Sequence, residues 1–185
     1  IPFVNVSFQL HPIVYIFFAM FVMVGTDNAV NLTDGVDGLC ASVTLPVMVF
    51  FTAAAAAMGK YDLALLPAAL TGGLVAYLFY NWHPAKVFMG DTGSLFLGGV
   101  VCAMAFALEM PLILILIGFV YVCEAMSDIL QVSYFKATHG KRIFRMTPIH
   151  HAFEMRGWKE VKIDFFFSLI AIIGVVLGLM YVYMA

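Results

Sequence analysis

Six long apolar runs, separated by shorter polar stretches, dominate the amino-acid sequence. We place these runs at residues 10–25, 41–58, 62–80, 94–109, 111–135 and 164–184. Each is close to the length that crosses a lipid bilayer as a helix. Most polar residues fall in three connections, at residues 26–40, 81–93 and 136–163. The pattern predicts an all-α, polytopic integral membrane protein, in which residues 1–185 form a single bundle of about six transmembrane helices.

The three polar connections are predicted to emerge on one face of the membrane, because two spans separate each of them from the next. Eight of the nine Lys and Arg residues lie in these connections, and only Lys60 lies on the opposite side. Basic residues concentrate in the cytoplasmic loops of membrane proteins. The sequence therefore predicts that the three polar loops face the cytoplasm.

Composition agrees with this assignment. The chain is 64% hydrophobic and only 11% charged, whereas a soluble domain is about half apolar and a quarter charged. The three cysteines are isolated in apolar surroundings and predict small buried side chains, not a disulfide or metal framework. No basic region precedes the first apolar run, so a signal peptide is not expected. A start at Ile1 in place of Met indicates a fragment or a processed product.

The first polar loop contains the densest polar segment, Asn28–Gly38, with two carboxylates, two Asn amides and two glycines. Asp34 and Asp37 are hard oxygen ligands of the kind that Mg²⁺ prefers, and glycines let the backbone approach a phosphate or sugar. The alternative is an interhelical turn in which Thr33 or Asp34 caps the next helix. Polar groups at a membrane boundary are costly unless they are solvated, paired or bound to a ligand, so the functional interpretation is favoured.

The second polar loop, Asn81–Ser94, contains Gly90–Ser94 just before a predicted helix, where free backbone N–H groups favour phosphate. Asp91 is a candidate metal ligand, Lys86 can neutralise phosphate, and Phe88 offers a face to a flat base. The alternative is an ordinary helix start capped by a threonine or serine of that segment.

The third polar loop carries adjacent histidines, His150 and His151, within a cluster of seven basic residues at 136–162. These histidines can contact phosphate, transfer protons or bind a metal, although nearby cations disfavour a tight metal site. The alternative is a basic loop that touches anionic lipid headgroups. The lone histidines near span ends are interpreted as interfacial; they are His11, His83 and His139.

The fifth predicted span carries Glu124, Asp128 and Gln131 at i, i+4 and i+7, which places them on one helical face. Such a face either lines a cavity or pairs within the bundle. Together with the three loops, this polar face suits a Mg²⁺-assisted phosphoryl-transfer centre at the membrane surface.

Three segments, at residues 28–38, 81–94 and 145–158, also resemble known motifs in order and spacing. They are similar to the C-terminal motifs of the phospho-N-acetylmuramoyl-pentapeptide-transferase (translocase I) family, within the polyprenyl-phosphate N-acetylhexosamine-1-phosphate transferase superfamily. The resemblance covers essentially the whole chain and implies the C-terminal part of a ten-helix fold.

The resemblance implies an enzyme that transfers phospho-MurNAc-pentapeptide from UDP-MurNAc-pentapeptide to undecaprenyl phosphate. The products would be lipid I and UMP, the cofactor Mg²⁺, and the location the bacterial cytoplasmic membrane with the active site facing the cytoplasm. Uridine-containing nucleoside inhibitors, membrane lipid and a homodimer partner are implied as well, and nucleic acid is not.

Roles carry over to the matching positions of this sequence. Asp91 matches the Mg²⁺ ligand, Asn31 a second metal-proximal position, and Phe88 the aromatic ring that stacks on uracil. Catalytic roles are implied for Asp34, Asp37, Asp91, His150 and His151. Substrate-binding roles are implied for Asn28, Asn31, Gly35, Val36, Asp37, Asn81, Phe88 and Gln131.

Two departures from the family pattern stand out. Ala152 occupies the position of a third consecutive histidine, and the N-terminal aspartate-pair motif followed by lysine is absent. We therefore expect residues 1–185 alone to be catalytically incomplete.

Two alternatives stay open from the sequence. A sister transferase that moves GlcNAc-1-phosphate shares the general pattern, although Pro148–Glu154 is closer to the muramoyl family. A transporter is less favoured, because it predicts acids at mid-bilayer and inverted repeats, and here most acids lie at one face.

Overall fold

A computed structural model describes residues 11–184, and the regular structure in that range is helical. The helices are α1 (Pro12–Leu32), α2 (Leu39–Ala57), α3 (Tyr61–Asn81), α4 (Gly90–Ala107), α5 (Leu114–Ile117), α6 (Phe119–Ala137), α7 (Ile149–Glu154) and α8 (Glu160–Met184), with a 3₁₀ turn at Pro111–Ile113. Five of the described helices are long and apolar enough to cross a membrane, and a bent pair adds a sixth. The prediction of a polytopic helical membrane protein is confirmed.

Helix α2 forms the centre of the bundle and packs against α3, α4 and α8. Its side chains are apolar on nearly every face, which is typical of a helix surrounded by others. Phe50 and Phe51 are fully buried, and Thr44 shares a 2.8 Å hydrogen bond with the Tyr121 hydroxyl of α6. By contrast, α1 and α3 expose large apolar side chains, as expected of lipid-facing helices.

Glycines allow α8 to approach its neighbours closely. A Cβ atom placed on Gly178 would lie 2.8 Å from Ile117 and 2.9 Å from the Phe50 ring. One placed on Gly174 would overlap the carbonyl oxygen of Leu116. Small residues of this kind are the usual means of close helix packing in membranes.

The prediction of one continuous fifth span over 111–135 is wrong. The structure breaks it at Gly118, where the axis of the Pro111–Ile117 segment turns by 86° into α6. A Cβ atom on Gly118 would lie 2.6 Å from the carbonyl oxygen of Leu114. The backbone can therefore fold back on itself here because this residue has no side chain, a feature that hydrophobicity alone does not show.

The helix ends also differ from those predicted. Helix α1 continues to Leu32, so the first connection shrinks to residues 33–38, and Gly90–Ser94 forms the first turn of α4 and does not precede it. Neither α2 nor α4 has a side-chain cap. Thr33 instead donates its hydroxyl to the Ala29 carbonyl oxygen of its own helix. The capping alternatives are therefore wrong.

The three polar loops lie together at one end of the bundle, as their spacing predicts. The Ala85 N–H donates to Asp37 across two loops at 2.9 Å, and His150 of the third loop packs on Gly35 of the first. The two short connections meet at the other end, where Lys60 pairs with Glu109 at 3.5 Å.

Candidate active site

Helices α1 and α4 meet at the polar end of the bundle through Asn31. Its side-chain N–H₂ group donates to Asp91 Oδ1 at 3.1 Å and to the buried Ser94 hydroxyl at 2.9 Å. Asn31 lies in the last turn of α1, and the other two residues lie in the first turn of α4. The amide therefore holds the Asp91 carboxylate in place, while Asp91 itself stays exposed.

Asp34 lies near this group, and its carboxyl interacts electrostatically with that of Asp91. Burial, and secondly the negative charge of Asp91, raise the pKa of the Asp34 carboxyl from its ordinary value of 3.8 to about 6. Two carboxylates that repel each other next to an amide oxygen and a hydroxyl form an oxygen-rich set, which suits a hard divalent cation. The donor atoms present therefore fit Mg²⁺ in their chemistry.

A buried carboxylate–imidazole pair lies behind the first loop. His150 Nδ1 is 3.0 Å from Glu124 Oε2, both side chains are almost wholly buried, and the backbone N–H of His150 donates to the same oxygen at 3.4 Å. His150 Nε2 has no partner. A Cβ atom on Gly35 would overlap that end of the ring, so glycine is required there. Glu124 thus orients the imidazole, and Nε2 faces the first loop.

The second histidine has a carboxylate of its own. His151 Nδ1 contacts Glu154 one turn later in α7, and its ring centroid lies 4.1 Å from that of His150. The two rings differ in environment, since His151 is partly open to solvent whereas His150 is buried.

The second loop presents Phe88 to solvent. Its side chain is 70% exposed. The loop beneath it is fixed by the buried Asn81, whose amide donates to the Val87 carbonyl oxygen at 2.9 Å. Asn81 therefore supports the aromatic residue, and its own substrate-binding role stays a prediction. An exposed ring on a fixed loop is a suitable platform for a flat base.

Asp37 faces a different cluster from Asp34. Its Oδ2 accepts the Ala85 N–H and lies 3.2 Å from His83 Nδ1, which in turn lies 3.1 Å from Glu160 Oε2. His83 is not a lone histidine, because folding brings Glu160 of α8 to it; its interfacial position stays a prediction. The i, i+4 spacing of Glu160 and Asp164 at the start of the last span was the available sequence signal.

Three further predicted residues have contacts within the fold. The Asn28 amide donates to Val24 of its own helix, and Val36 is buried. Gln131 is buried and holds the third loop: it accepts the N–H groups of Ile143 and Phe144 and donates to the Phe144 carbonyl oxygen. The predicted polar face of α6 therefore pairs within the bundle through Glu124 and Gln131.

An apolar groove of about 320 Å³ runs alongside this polar end. Its walls come from α1, α4, the Pro111–Ile117 segment and α6, and the break at Gly118 forms part of its lining. Thr26 and Ala29 line the groove within about one helical turn of Asn31. A lipid chain could lie in the groove with its head near the Asn31–Asp91 pair.

The sequence is also similar to those of known proteins. The family model described as "Glycosyl transferase family 4" matches residues 1–109. The phospho-N-acetylmuramoyl-pentapeptide-transferase of Clostridium acetobutylicum is 50% identical over 173 residues, which cover 94% of this chain and 54% of that protein. The protein of that name from Clostridium novyi is 52% identical over 178 residues, covering 96% and 54%. That from Caldanaerobacter subterraneus is 53% identical over 160 residues, covering 86% and 50%. The chain spans about half the length of the curated relatives it matches.

Proposed function

Because the chain belongs to glycosyl transferase family 4, we propose that the protein transfers phospho-MurNAc-pentapeptide from UDP-MurNAc-pentapeptide to undecaprenyl phosphate. The names of its relatives support this substrate. The observation that carries the proposal is the Asn31–Asp91 hydrogen bond, which joins the end of α1 to the start of α4 in an oxygen-rich centre beside Asp34 and next to an apolar groove.

The proposed reaction exchanges one phosphoryl linkage for another. An oxygen of the lipid phosphate bonds to the sugar-bearing phosphorus of the UDP-sugar, and the bond from that phosphorus to the bridging oxygen breaks. The electron pair leaves with UMP, and the product is a lipid-linked pyrophosphate. Such a transfer depends mainly on positioning and on stabilising negative charge.

Asp91 and Asp34 would hold Mg²⁺, with the carbonyl oxygen of the Asn31 amide as a third candidate ligand. The ion, when bound, would neutralise the charge that develops on the phosphoryl oxygens. The role of Asn31 itself is to orient Asp91 through its N–H₂ group. The buried Ser94 hydroxyl accepts a second hydrogen bond from the same N–H₂ group.

The nucleoside would lie over the first two loops. Phe88 offers the exposed ring for uracil, and Gly35 lets a substrate approach the backbone beside the oriented His150. His151 is the more exposed of the two histidines, and we assign it the contact with a substrate phosphate. The lipid tail would occupy the apolar groove, with this end of the bundle facing the cytoplasm.

The test uses the complete enzyme, in which residues 1–185 are joined to N-terminal spans that carry the aspartate-pair motif. It offers this purified enzyme two UDP-sugars, UDP-MurNAc-pentapeptide and UDP-GlcNAc, each with undecaprenyl phosphate and Mg²⁺. We expect UMP release and a lipid-linked product from the muramoyl substrate only. Asp91→Asn should abolish both, because it removes a hard anionic ligand. Turnover of UDP-GlcNAc alone would instead assign the sister transferase, and substrate transport into proteoliposomes without UMP release would refute a transferase.

A further inference from the structure

A second cluster of titratable groups lies at the polar end of the bundle and shares no residue with the Asp34–Asp91 group. We call Asp37, His83, Glu160 and Asp164 the His83 cluster. It joins the first loop, the second loop and the start of α8. One ligand atom from each of Asp37, His83 and Glu160 lies within 4.8 Å of the others. That spacing is small enough for the three side chains to meet at one ion.

Asp164 provides an independent observation that points to cation binding at this cluster. It is fully buried one helical turn after Glu160, and neither of its carboxylate oxygens has a hydrogen-bond partner. Its Oδ2 lies 3.2 Å from the position of a Cβ atom on Gly38, directly after Asp37. Its charge interacts with those of Glu160, Asp37 and His83. A buried carboxylate without a partner is costly unless a positive charge lies nearby.

The basic side chains near the His83 cluster do not supply enough positive charge to neutralise its carboxylates. In the described range, His83 is the only basic side chain that pairs with Asp37 or Glu160. The nearby Lys162 places its ammonium group over the Trp158 ring, at 3.9 Å from the centroid. Even a protonated His83 would leave Asp37 and Glu160 with one positive charge between them, so a net charge of −1 would remain with Asp164 neutral.

We propose that the His83 cluster binds a divalent transition metal ion such as Zn²⁺, with Asp37, His83 and Glu160 as ligands. Asp164 would supply additional negative charge from beneath the site. An imidazole among carboxylates suits zinc and related metals, whereas Mg²⁺ and Ca²⁺ prefer oxygen ligands alone. The ion would tie the first two loops to α8 and so fix Asp37.

The direct test is calorimetric titration of the detergent-purified, chelator-treated protein with Zn²⁺, in excess Mg²⁺ to occupy the Asp34–Asp91 group. We expect one Zn²⁺ site in the wild type. His83→Ala and Glu160→Gln should weaken Zn²⁺ binding at least tenfold, and Asp164→Asn by about 10- to 100-fold, the usual cost of losing a supporting carboxylate. Asp91→Asn and the exposed Asp62→Asn serve as controls and should keep the wild-type affinity.

Co²⁺ provides a second readout that does not depend on how well the variants fold. The wild-type protein should give a Co²⁺ absorption spectrum typical of a low-symmetry site, and added Zn²⁺ should remove it. Stoichiometric Zn²⁺ binding that survives in a folded His83→Ala variant would overturn the proposal. So would a wild type that binds neither metal. Because both readouts measure metal binding and not transfer, a failure here leaves the proposed transferase activity untouched.

Discussion

Glu124 and His150 form a hydrogen-bonded pair that is buried inside the bundle. Once Glu124 accepts the Nδ1–H group, His150 Nε2 is left with its lone pair towards Gly35. The same carboxylate also accepts the His150 backbone N–H. Glu124 is therefore a positioning residue that acts through His150.

Replacing Glu124 with Gln tests this positioning role. The change keeps the size of the side chain but removes the anionic acceptor, so the wrong tautomer becomes accessible. We expect product formation to fall by about 10²–10⁴-fold, the usual contribution of an oriented acid–base group. Asp128→Asn is the matched control, because Asp128 lies on the same helix but forms no hydrogen bond or ion pair with His150, and its rate should stay near wild type. A normal rate for Glu124→Gln would remove His150 from the reaction.

Replacing Phe88 with Ala tests the proposed base platform. The substitution should weaken binding of UDP-substrate and of uridine-containing inhibitors by about 1–3 kcal/mol, the usual value of base–aromatic stacking. Isothermal calorimetry measures the change. The control is Phe79→Ala, because Phe79 is 80% exposed on lipid-facing α3. Equal losses in the two variants would argue against stacking at Phe88.

The raised pKa of Asp34 predicts how stability depends on pH. The unfolded carboxyl titrates near 3.8 and the folded one near 6, so between these values the folded state binds more protons. Stability from this residue is therefore greatest below about pH 4 and decreases as pH rises through 6. Melting curves in EDTA should show that Asp34→Asn raises the melting temperature relative to wild type more at pH 8 than at pH 4. An unchanged difference between wild type and variant across this range would contradict the shift.

At the scale of helices, close contacts between α8, α5 and α2 hold the broken fifth span in place. Helix α5 is only four residues long and cannot be stable by itself. It depends on the glycine-lined surface of α8, where Gly174 and Gly178 admit the Leu116 and Ile117 backbone and side chains. The shape of the apolar groove thus depends on this packing.

Gly178→Val should disturb that contact. Its added atoms would meet Ile117 and Phe50 at distances below 3 Å, so we expect a loss of about 1–3 kcal/mol, typical of overpacked interiors. Thermal unfolding in detergent measures it. The matched control is Gly72→Val on α3, where a Cβ atom meets nothing within 4 Å. A Gly178 variant as stable as its control would show that α8 can shift without cost.

At the scale of the whole molecule, the bundle has a polar end and a plain end. The polar end gathers the three loops, both acidic groups and the basic residues other than Lys60. Among the described residues, the ion pair at the other end is Lys60–Glu109. Such an asymmetry is what the distribution of basic residues across a membrane predicts.

Cysteine labelling in intact cells tests this orientation. Lys141→Cys lies in the third loop and Tyr61→Cys at the opposite end, and both positions are exposed. A membrane-impermeant maleimide should label Tyr61→Cys in intact cells and Lys141→Cys only after lysis. The native cysteines, of which Cys40 and Cys102 are buried, provide the background in the parent protein. The reverse labelling pattern would place the active site outside the cytoplasm.

Much of this architecture could be predicted from local pattern. Apolar runs determined the number of spans, and the spacing of loops placed them on one face, because both depend only on sequence length and hydrophobicity. The segments around Asp34, Asp91 and His150 were identified for the same reason: polar residues are conspicuous among apolar ones. Only the tertiary structure shows the break at Gly118. The break requires a residue without a side chain, because a Cβ atom there would clash with the Leu114 carbonyl oxygen of the folded backbone.

Partnerships between distant residues also required the tertiary structure. Glu124 contacts His150, which lies 26 positions later in the sequence, and His83 contacts Glu160, which lies 77 positions later. No rule of local spacing predicts either pair. Asn81 and Gln131 are predicted substrate ligands, and only the fold shows that their amides also hold loops; their substrate-binding roles stay predictions. The sequence by itself determined which polar groups reach the membrane surface. Packing decided which of them pair with one another and which stay open to a ligand, because a side chain's hydrogen bonds depend on the neighbours that folding brings to it.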